Sequence, residues 1–262
     1  MARRDGTSTR TEKILRHLQS ERSVAVEELC SLLNVSIATV RRDLQDLENR
    51  GLLRRTHGGA MMVEPLLYEG FRHDSSFREQ MEKCAEEKRR IALAAADLIE
   101  DGETISLTPG TTTTEIVRSI RHRSGITVVT NTVNVAMELS QREDLDVVVS
   151  GGSLRGRWFS LVGPVAVQAL EQIFTDKVFI GANGVDAAAG LTCHHADEAG
   201  VNRVMVQHAK QKIAVADASK LGVRATHRIC GIDAIDLLIT DSSATDRQIA
   251  TFLQAGVKVR RV

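Results

Sequence analysis

Apolar residues recur at steps of three and four between residues 36 and 50, the spacing of one face of an α-helix. This face consists of Ile37, Val40, Leu44 and Leu47. Ser36 suits the N-cap and Gly51 the position after the last turn. The opposite, polar face consists of Ala38, Thr39, Arg41, Arg42 and Gln45. Such a face fits a DNA major groove, because small residues allow close approach while Arg and Gln bond to bases or phosphates. The alternative is an ordinary amphipathic helix with solvated charges.

Two shorter segments before this helix have the same periodicity, at residues 11–20 and 26–33. Asn34 tolerates a positive φ and suits a tight turn before the helix at 36–50. Two helices joined by a tight turn, the second with an exposed polar start, are typical of a helix-turn-helix. The pattern therefore predicts DNA contacts by Ser36, Ala38, Thr39, Arg41, Arg42 and Gln45. We expect the polar residues 1–9 to be disordered.

A β-hairpin is predicted directly after the helix. Residues 52–56 and 60–63 are extended segments on either side of the turn His57-Gly58-Gly59. Its basic residues Arg54, Arg55 and His57 are expected to reach phosphates or the minor groove, as in a wing. The alternative is an edge hairpin whose charges only keep it soluble. The position after the helix favours the wing.

The sequence pattern changes at about residue 81, where short aliphatic segments typical of strands begin to alternate with helical segments. The predicted strands are 104–107, 127–129, 146–149, 177–180, 212–216, 237–239 and 257–260. This alternation indicates an α/β domain with a mainly parallel sheet. Residues 64–80 lack periodicity and are predicted to be a linker. The expected division is a winged helix-turn-helix at 1–63, the linker at 64–80 and the α/β domain at 81–262.

Small and polar residues follow five of the predicted strands, at the carboxyl ends where parallel sheets bind ligands. The candidates in these loops are Thr108, Gly110, Thr111, Thr112, Thr113, Asn131, Gly152, Arg155, Asn183, Asp186, Asp217 and Lys220. The threonine-rich loop precedes a helix and suits phosphate, although it lacks the lysine of a nucleotide triphosphatase loop. Together the five loops predict a small polyhydroxylated anion, whose charge Lys220 and Arg155 would meet. The alternative for any one loop is a structural turn without a ligand.

Charge is distributed unevenly over the 262 residues, although the net charge is zero. Residues 1–60 carry 11 Lys and Arg against 8 Asp and Glu, and the remainder carries 23 against 26. A mildly basic N-terminal part agrees with nucleic-acid binding. Aromatic residues make up only 3% of the chain, so the core must be aliphatic.

Several classes of protein are disfavoured. The four cysteines contain no CxxC pair, and the adjacent Cys193, His194 and His195 have no partners at zinc spacing. No apolar run approaches the about 20 residues of a membrane span, and the basic N-terminus is not followed by an apolar signal segment. No G-x-S-x-G nucleophile elbow is present. We expect a cytoplasmic protein without metal, cofactor or membrane association.

From about Thr11 to Val262 the chain resembles the DeoR family of bacterial transcriptional regulators. The N-terminal motifs are Ser36-x-x-Thr39-Val40-Arg41-Arg42-Asp43-Leu44 and Gly51-x-x-x-Arg55-x-His57-Gly58-Gly59-Ala60. The C-terminal motifs include Pro109-Gly110-Thr111-Thr112-Thr113, Val129-Thr130-Asn131, Ile180-Gly181-Ala182-Asn183-Gly184, Glu198-Ala199 and Asp217-x-Ser219-Lys220-x-Gly222. The resemblance implies a winged helix-turn-helix joined to a sensor domain resembling ribose-5-phosphate isomerase. It also implies a phosphorylated sugar as effector, relief of repression of carbohydrate catabolism genes, and an effector-binding role for Glu198.

The chain departs from the family pattern at the expected effector site. Thr108-Pro109-Gly110 stands where many members have Asp-Ser-Gly, and His194-His195 replaces a frequent Pro-Asp. The change at Thr108 removes a carboxylate, which argues against isomerase chemistry because that reaction needs a base at the sugar carbon.

Three functions remain open from the sequence. The first is a repressor that binds operator DNA as a homodimer or homotetramer and is released by a sugar phosphate. The second is a sugar-phosphate isomerase or deaminase with an accessory DNA-binding domain, in which Asp186, Glu198, Asp217 and His195 would supply acid and base groups. The third is an activator or dual regulator. The N-terminal 60 residues favour regulation over catalysis, because a metabolic enzyme does not need them.

Overall fold

The computed structural model describes residues 3–21, 23–49, 52–61 and 75–262. The described residues up to Met61 form a unit that we call the head. Its elements are α1 (Arg3–Glu21), β1 (Ser23–Ala25), α2 (Val26–Leu33), α3 (Ile37–Asn49), β2 (Arg54–Thr56) and β3 (Gly59–Met61). The strands are antiparallel in the order β1-β3-β2, so a strand from before α2 extends the predicted hairpin. The head is a helix-turn-helix with a wing.

Local capping sets the turn between α2 and α3. Asn34 ends α2 with φ 52°, in the left-handed region that Asn tolerates. The Ser36 hydroxyl accepts a hydrogen bond from the Thr39 backbone N–H at 3.3 Å, as predicted for the N-cap. The apolar face of α3 then packs on α1 and α2. The fully buried residues of this core include Ile14, Leu15, Leu18, Leu29, Val40, Leu44 and Leu47.

Two predictions for the head were wrong. Residues 1–9 were expected to be disordered, but α1 begins at Arg3. Arg10 of this helix pairs with the buried Asp43 of α3 (Nε to Oδ2, 2.9 Å), which holds α1 against α3. Ile37 was expected to face inward but is 47% exposed, because the inward face of α3 begins one turn later at Val40. Gly51, the expected residue after α3, lies outside the described residues.

The predicted linker at 64–80 is partly helical. Its end belongs to α4 (Ser75–Glu82), while residues 62–74, and with them Tyr68, lie outside the described ranges. Phe77 of α4 is 3% exposed and stacks edge-on against Trp158 and Phe159, with ring centroids 6.2 Å and 5.1 Å away. This apolar anchor explains why the segment is ordered as a helix against the C-terminal part.

The C-terminal part is built on a parallel sheet of the predicted strands. In the described part of the chain this sheet has seven strands in the order β15-β14-β12-β9-β4-β5-β6. These strands are β4 (Thr104–Leu107), β5 (Thr127–Thr130), β6 (Asp146–Val149), β9 (Thr175–Ile180), β12 (Ala209–Val215), β14 (Leu237–Thr240) and β15 (Lys258–Arg261). The helices are α5 (Ala85–Ala96), α6 (Thr111–Ser119), α7 (Val133–Leu139), α8 (Pro164–Leu170), α9 (Ala196–Gln207) and α10 (Asp246–Gln254).

Helices cover both faces of the sheet. Successive residues of β9 alternate between two hydrophobic clusters, since Val178 and Ile180 belong to one and Phe179 to the other. α8 and α9 supply the first cluster and α5 and α6 the second. With both faces apolar, a polar ligand can reach the sheet only at the strand ends.

Two small sheets near the carboxyl ends were not predicted. One is the hairpin of β7 (Ser153–Arg155) and β8 (Ser160–Val162). The other has the order β10-β11-β13, from β10 (Gly184–Asp186), β11 (Gly190–Cys193) and β13 (His227–Cys230). These strands mix Gly and polar residues with apolar ones, so they lack the short aliphatic runs that mark the strands of the parallel sheet.

Gly59 offers a test of the head's packing. A Cβ atom at this position would lie 2.1 Å from the Val24 carbonyl oxygen of β1. We expect Gly59→Ala to force β1 and β3 apart and to lower the free energy of unfolding by about 1–3 kcal/mol, the usual cost of overpacking. Urea unfolding followed by circular dichroism would measure the change.

Gly200→Ala is the matched control, because its added methyl group meets nothing within 4 Å and lies inside α9. This control should be neutral or stabilising, since Ala favours helix. Equal stability of the two variants would contradict the steric argument.

Candidate functional site

The polar face of α3 is open to solvent at its start. Ser36, Ala38, Arg41 and Arg42 are exposed, and Thr39 is partly exposed. The hydroxyls of Ser36 and Thr39 lie 3.0 Å apart. Small side chains thus surround the helix N-terminus, and two arginines follow on the same surface. This arrangement permits insertion into a major groove.

Gln45 joins α3 to the wing. Its amide oxygen accepts a hydrogen bond from the Arg55 guanidinium, and its amide nitrogen donates to Asn49 at 3.0 Å. The backbone N–H of Arg55 donates to the Glu48 carboxylate at 2.8 Å. These bonds hold α3 and the wing as one surface, with Arg41 and Arg55 lining a groove between them.

The remaining predicted wing residues, Arg54 and His57, are both exposed, but only His57 lines the groove. His57, in the turn between β2 and β3, is exposed and lines that groove. The exposed Arg54 places its guanidinium 3.5 Å from the Met61 sulfur, so its position is set within the hairpin. The groove therefore offers Arg55 and His57 beside Arg41, while Arg54 lies on the opposite face of the hairpin.

A second cavity opens at the carboxyl ends of β4, β9 and β12, which are neighbours in the sheet. Several residues predicted from the sequence line it: Gly110, Thr111, Thr112, Asn183, Glu198, Asp217 and Lys220. Others that line it were not predicted as effector-binding: Gln80, Lys88, Trp158 and Asn202. The cavity thus combines three strand ends with α4, α5 and α9.

The start of α6 forms the part of the wall best suited to an anion. The first backbone N–H groups of a helix have no intrahelical acceptor and lie at the positive end of its dipole. The hydroxyls of Thr113 and Thr114 each donate to the Gly110 carbonyl oxygen at 2.8 Å. Thr111 and Thr112 remain on the cavity wall. This turn can hold a phosphate through N–H groups and hydroxyls.

Two lysines line the same cavity. Lys88 of α5 is 3% exposed, and its ammonium donates to the carbonyl oxygens of Gln80 and Lys83 at the end of α4. Burial lowers the pKa of Lys88 below its ordinary value, and the Asp217 carboxylate acts in the opposite direction. Lys220 comes from the short 3-10 helix Ala218–Lys220. Both ammonium groups can meet the charge of an anion.

The loop that carries Lys220 is held by two carboxylates. Asp217 caps it by accepting a hydrogen bond from the Ser219 N–H at 3.1 Å. Asp241, at the end of β14, accepts from the Ala218 N–H at 2.7 Å. Burial acts to raise the pKa of Asp241, but hydrogen bonds from the Ala218 and Ser243 N–H groups outweigh it and lower the pKa. The loop is therefore fixed before any ligand binds.

Glu198 stands on the α9 side of the cavity. Its carboxylate accepts a hydrogen bond from the Ser160 hydroxyl at 3.0 Å and lies 3.7 Å from the Arg155 guanidinium. Arg155 was predicted to meet the ligand's charge directly. The structure places it behind Glu198 instead, outside the cavity lining.

The loops after β5 and β6 do not reach the cavity, contrary to the predicted convergence of five loops. The amide nitrogen of Asn131 donates to the Leu161 carbonyl oxygen at 3.1 Å, so this fully buried residue holds the β7–β8 hairpin. At Gly152 a Cβ atom would lie 2.6 Å from the Val162 carbonyl oxygen of the same hairpin. The hairpin covers these two strand ends, which the sequence did not reveal.

Three further candidates have structural contacts away from the lining. The buried Thr108 hydroxyl accepts a hydrogen bond from the Gly181 N–H at 2.9 Å and ties β4 to β9. Thr113 donates within its own turn. Asp186 accepts from the Ala189 N–H at 2.7 Å and pairs with Arg224 at 3.1 Å, in the turn after β10.

Local sequence carries little signal for the residues that were missed. Lys88 sits in a charged stretch of α5, and Trp158 lies between two unpredicted strands. Only tertiary contact brings them to the strand ends. Cys193, His194 and His195, which the sequence disfavours as metal ligands, line this cavity. Within the described ranges, no three His, Cys, Asp or Glu residues form a group that could hold a metal ion.

No helix in the part of the chain that the structure describes has the length and apolar character to cross a bilayer.

Comparison with known proteins covers both parts of the chain. Family models match at residues 10–65 for the DeoR-like helix-turn-helix domain and at 83–242 for the DeoR C terminal sensor domain. The HTH-type transcriptional repressor GlcR of Bacillus subtilis is 36% identical over 87% of this chain and 86% of its own. The lactose phosphotransferase system repressor of Staphylococcus epidermidis is 34% identical over 91% of this chain and 94% of its own. A solved D-ribose-5-phosphate isomerase in complex with phospho-erythronic acid is 19% identical, with a TM-score of 0.39 over 52% of this chain and 53% of that one.

The two family models occur in the order that the head and the sheet domain have in the structure. The relatives match along nearly their whole length, and they are regulators rather than enzymes. The isomerase or deaminase alternative gains no support from them. This chain is a DNA-binding transcriptional regulator with a sensor domain, and it belongs to the DeoR family.

Proposed function

We propose that this protein represses genes of carbohydrate catabolism and leaves its operator when a phosphorylated sugar enters the cavity at the ends of β4, β9 and β12. The proposal rests on one observation: the same chain has an exposed helix face with two arginines and a cavity lined by a helix N-terminus and two lysines. The names of the relatives support it, since one is the lactose phosphotransferase system repressor.

The head would bind DNA through α3 and the wing together. The start of α3 enters the major groove, where Arg42 and Gln45 contact bases or phosphates. Arg41, Arg54, Arg55 and His57 contact the backbone or the minor groove. The side chains of Gln45 and Arg55 are hydrogen-bonded to each other in the free protein. Both can contact DNA only if this hydrogen bond breaks.

Operator recognition would need two copies of the chain. A single helix-turn-helix covers one half-site, and dimeric regulators place two recognition helices about 34 Å apart in successive major grooves. We propose a homodimer or homotetramer for this reason.

The effector would bind with its phosphate at the start of α6. Lys88 and Lys220 meet the negative charge, and Thr111 and Thr112 add hydroxyl and N–H donors. Asn183, Asp217 and Glu198 line the same cavity and suit the hydroxyl groups of a sugar. An anion with several hydroxyls satisfies both sets of groups.

The link to DNA binding would run through α4. This helix is the first described element after β3 of the head, and Gln80 near its end lines the cavity. Lys88 holds the end of α4 through the carbonyl oxygens of Gln80 and Lys83. A bound anion competes for that ammonium, which loosens α4 and changes the placement of the head. Only an effector with unequal affinity for the two arrangements can act in this way.

The DNA-binding role is tested first at Arg42. Arg42→Ala should weaken operator binding by about 1–3 kcal/mol if the guanidinium makes a bidentate base contact. Fluorescence anisotropy at fixed salt, with DNA from upstream of the protein's own gene and with random DNA, would measure this loss.

Arg228→Ala is the matched control, because this exposed arginine lies on β13, far along the chain from the head. It removes the same charge and should leave operator affinity unchanged. Equal affinities of wild type and Arg42→Ala on both DNAs would remove Arg42 from the interface.

The anion site is tested at Lys88. Lys88→Met keeps the aliphatic bulk but removes the ammonium, so binding of inorganic phosphate should weaken about tenfold or more, the usual value of a charged hydrogen bond. Because the substitution also removes the ammonium's contacts to the end of α4, the variant should bind operator DNA more weakly than the wild type even without effector. Calorimetric titration with phosphate gives the affinity directly, and Lys258→Met, an exposed lysine on β15, is the control.

The pH dependence provides a second readout for the same residue. The charged form of Lys88 binds the anion, and burial places its pKa below the ordinary 10.5. Phosphate affinity of the wild type should therefore fall as the pH rises through that lowered pKa, and the fall should be smaller in Lys88→Met. Identical pH profiles for the two proteins would exclude Lys88 from the anion site.

A further inference from the structure

The α9 wall of the cavity contains a buried polar group that has no hydrogen-bond partner among the residues that the structure describes. Asn202 is 3% exposed and lines the cavity. Its amide oxygen is buried and has no hydrogen-bond partner within the described structure. A buried acceptor without a partner is unfavourable, and native proteins rarely leave one unless a ligand or water completes it.

Asn202 does not stand alone on this wall. Glu198 lies one helical turn earlier on α9, so the two side chains share a face and both line the cavity. The Glu198 carboxylate already has Ser160 and Arg155 beside it. Both of these contacts are at one carboxylate oxygen, Oε1. The wall therefore presents acceptor oxygens, and the Asn202 oxygen is the one that is buried without a partner among the described residues.

The groups that suit an anion come from other elements, namely α5, α6 and the 3-10 helix Ala218–Lys220. A bare anion would satisfy those groups and leave the Asn202 oxygen unpaired. A ligand that satisfies the whole cavity must also carry a hydrogen-bond donor. Hydroxyl groups on a phosphorylated sugar meet this requirement, and they are neutral beside the nearby Glu198 carboxylate.

We propose that Asn202 is a specificity-determining residue that accepts a hydrogen bond from a hydroxyl of the phosphorylated effector. This inference rests on the proposed function, since it assumes that the anion binds at α6 and the lysines. It also specifies the orientation of the bound effector, with the phosphate at the start of α6 and a hydroxyl group at α9. It also means that the sensor distinguishes a sugar phosphate from phosphate itself at this residue.

The test compares affinities for a sugar phosphate and for inorganic phosphate in the same protein. The probes are inorganic phosphate, ribose 5-phosphate, glucose 6-phosphate and their 2-deoxy analogues, titrated by calorimetry. The ratio of sugar-phosphate to phosphate affinity measures the contribution of the contacts to the sugar hydroxyls. A change at the anion site alters both affinities together and leaves the ratio unchanged.

In Asn202→Leu, which removes the acceptor at similar volume, the ratio for the tightest sugar phosphate should fall about tenfold, the value of one neutral hydrogen bond. Asn202→Asp keeps an acceptor oxygen and should keep the ratio, even if its charge weakens both ligands. Gln207→Leu, an exposed amide on the same helix, should change neither affinity. Thermal unfolding of each variant confirms that it is folded.

Equal ratios in wild type and Asn202→Leu would overturn the inference while leaving the anion site intact. A wild-type protein that binds phosphate as tightly as every sugar phosphate would also overturn it. If the wild type bound neither phosphate nor any sugar phosphate, the proposed function itself would fail, and the inference with it.

Discussion

Burial of the parallel sheet on both faces is the constraint from which the sensor's chemistry follows. β9 alternates its side chains between two apolar clusters, and helices cover each of them. A sheet of this kind has no polar face on which to bind a charged ligand. The donors and charges collect where the strands end and α6 begins, because backbone N–H groups there lack internal partners. The position of the cavity is thus a consequence of the core.

In the head, polar side-chain pairs set the positions of the helices and the wing. α3 has one face in the core and one in solvent, yet Asp43 interrupts the apolar side. Its charge is tolerated because Arg10 reaches it from α1, and this pair adds to the buried apolar contacts that already hold α1 in the head. Gln45 and Arg55 perform a similar task on the outer side by tying the wing to α3. Polar pairs, rather than a large core, orient the parts of this small unit.

The pattern of the sequence was sufficient for the amphipathic helices, which repeat their apolar spacing over several turns, and for the buried strands, which are short aliphatic runs between helices. It located all of the strands of the parallel sheet and the Ser36 cap of α3. It failed where the pattern is shorter than a turn or depends on distant partners. The β7–β8 hairpin contains Arg155 and is held by Asn131, and neither residue lines the cavity, whereas α5 places Lys88 there from a stretch that looks like solvated surface. Neither event leaves a local trace in the sequence.

The hold of Lys88 on the end of α4 has a consequence for the sensitivity of the sensor. An ammonium that is already bonded to two carbonyl oxygens must exchange partners before it can serve a ligand, so the protein contains its own competitor. Such a competitor raises the apparent dissociation constant of the effector, so a higher concentration is needed for the same occupancy. It also allows sensitivity to be tuned from α4, by substitutions that strengthen or weaken those carbonyl contacts, without any change among the residues proposed to contact the sugar.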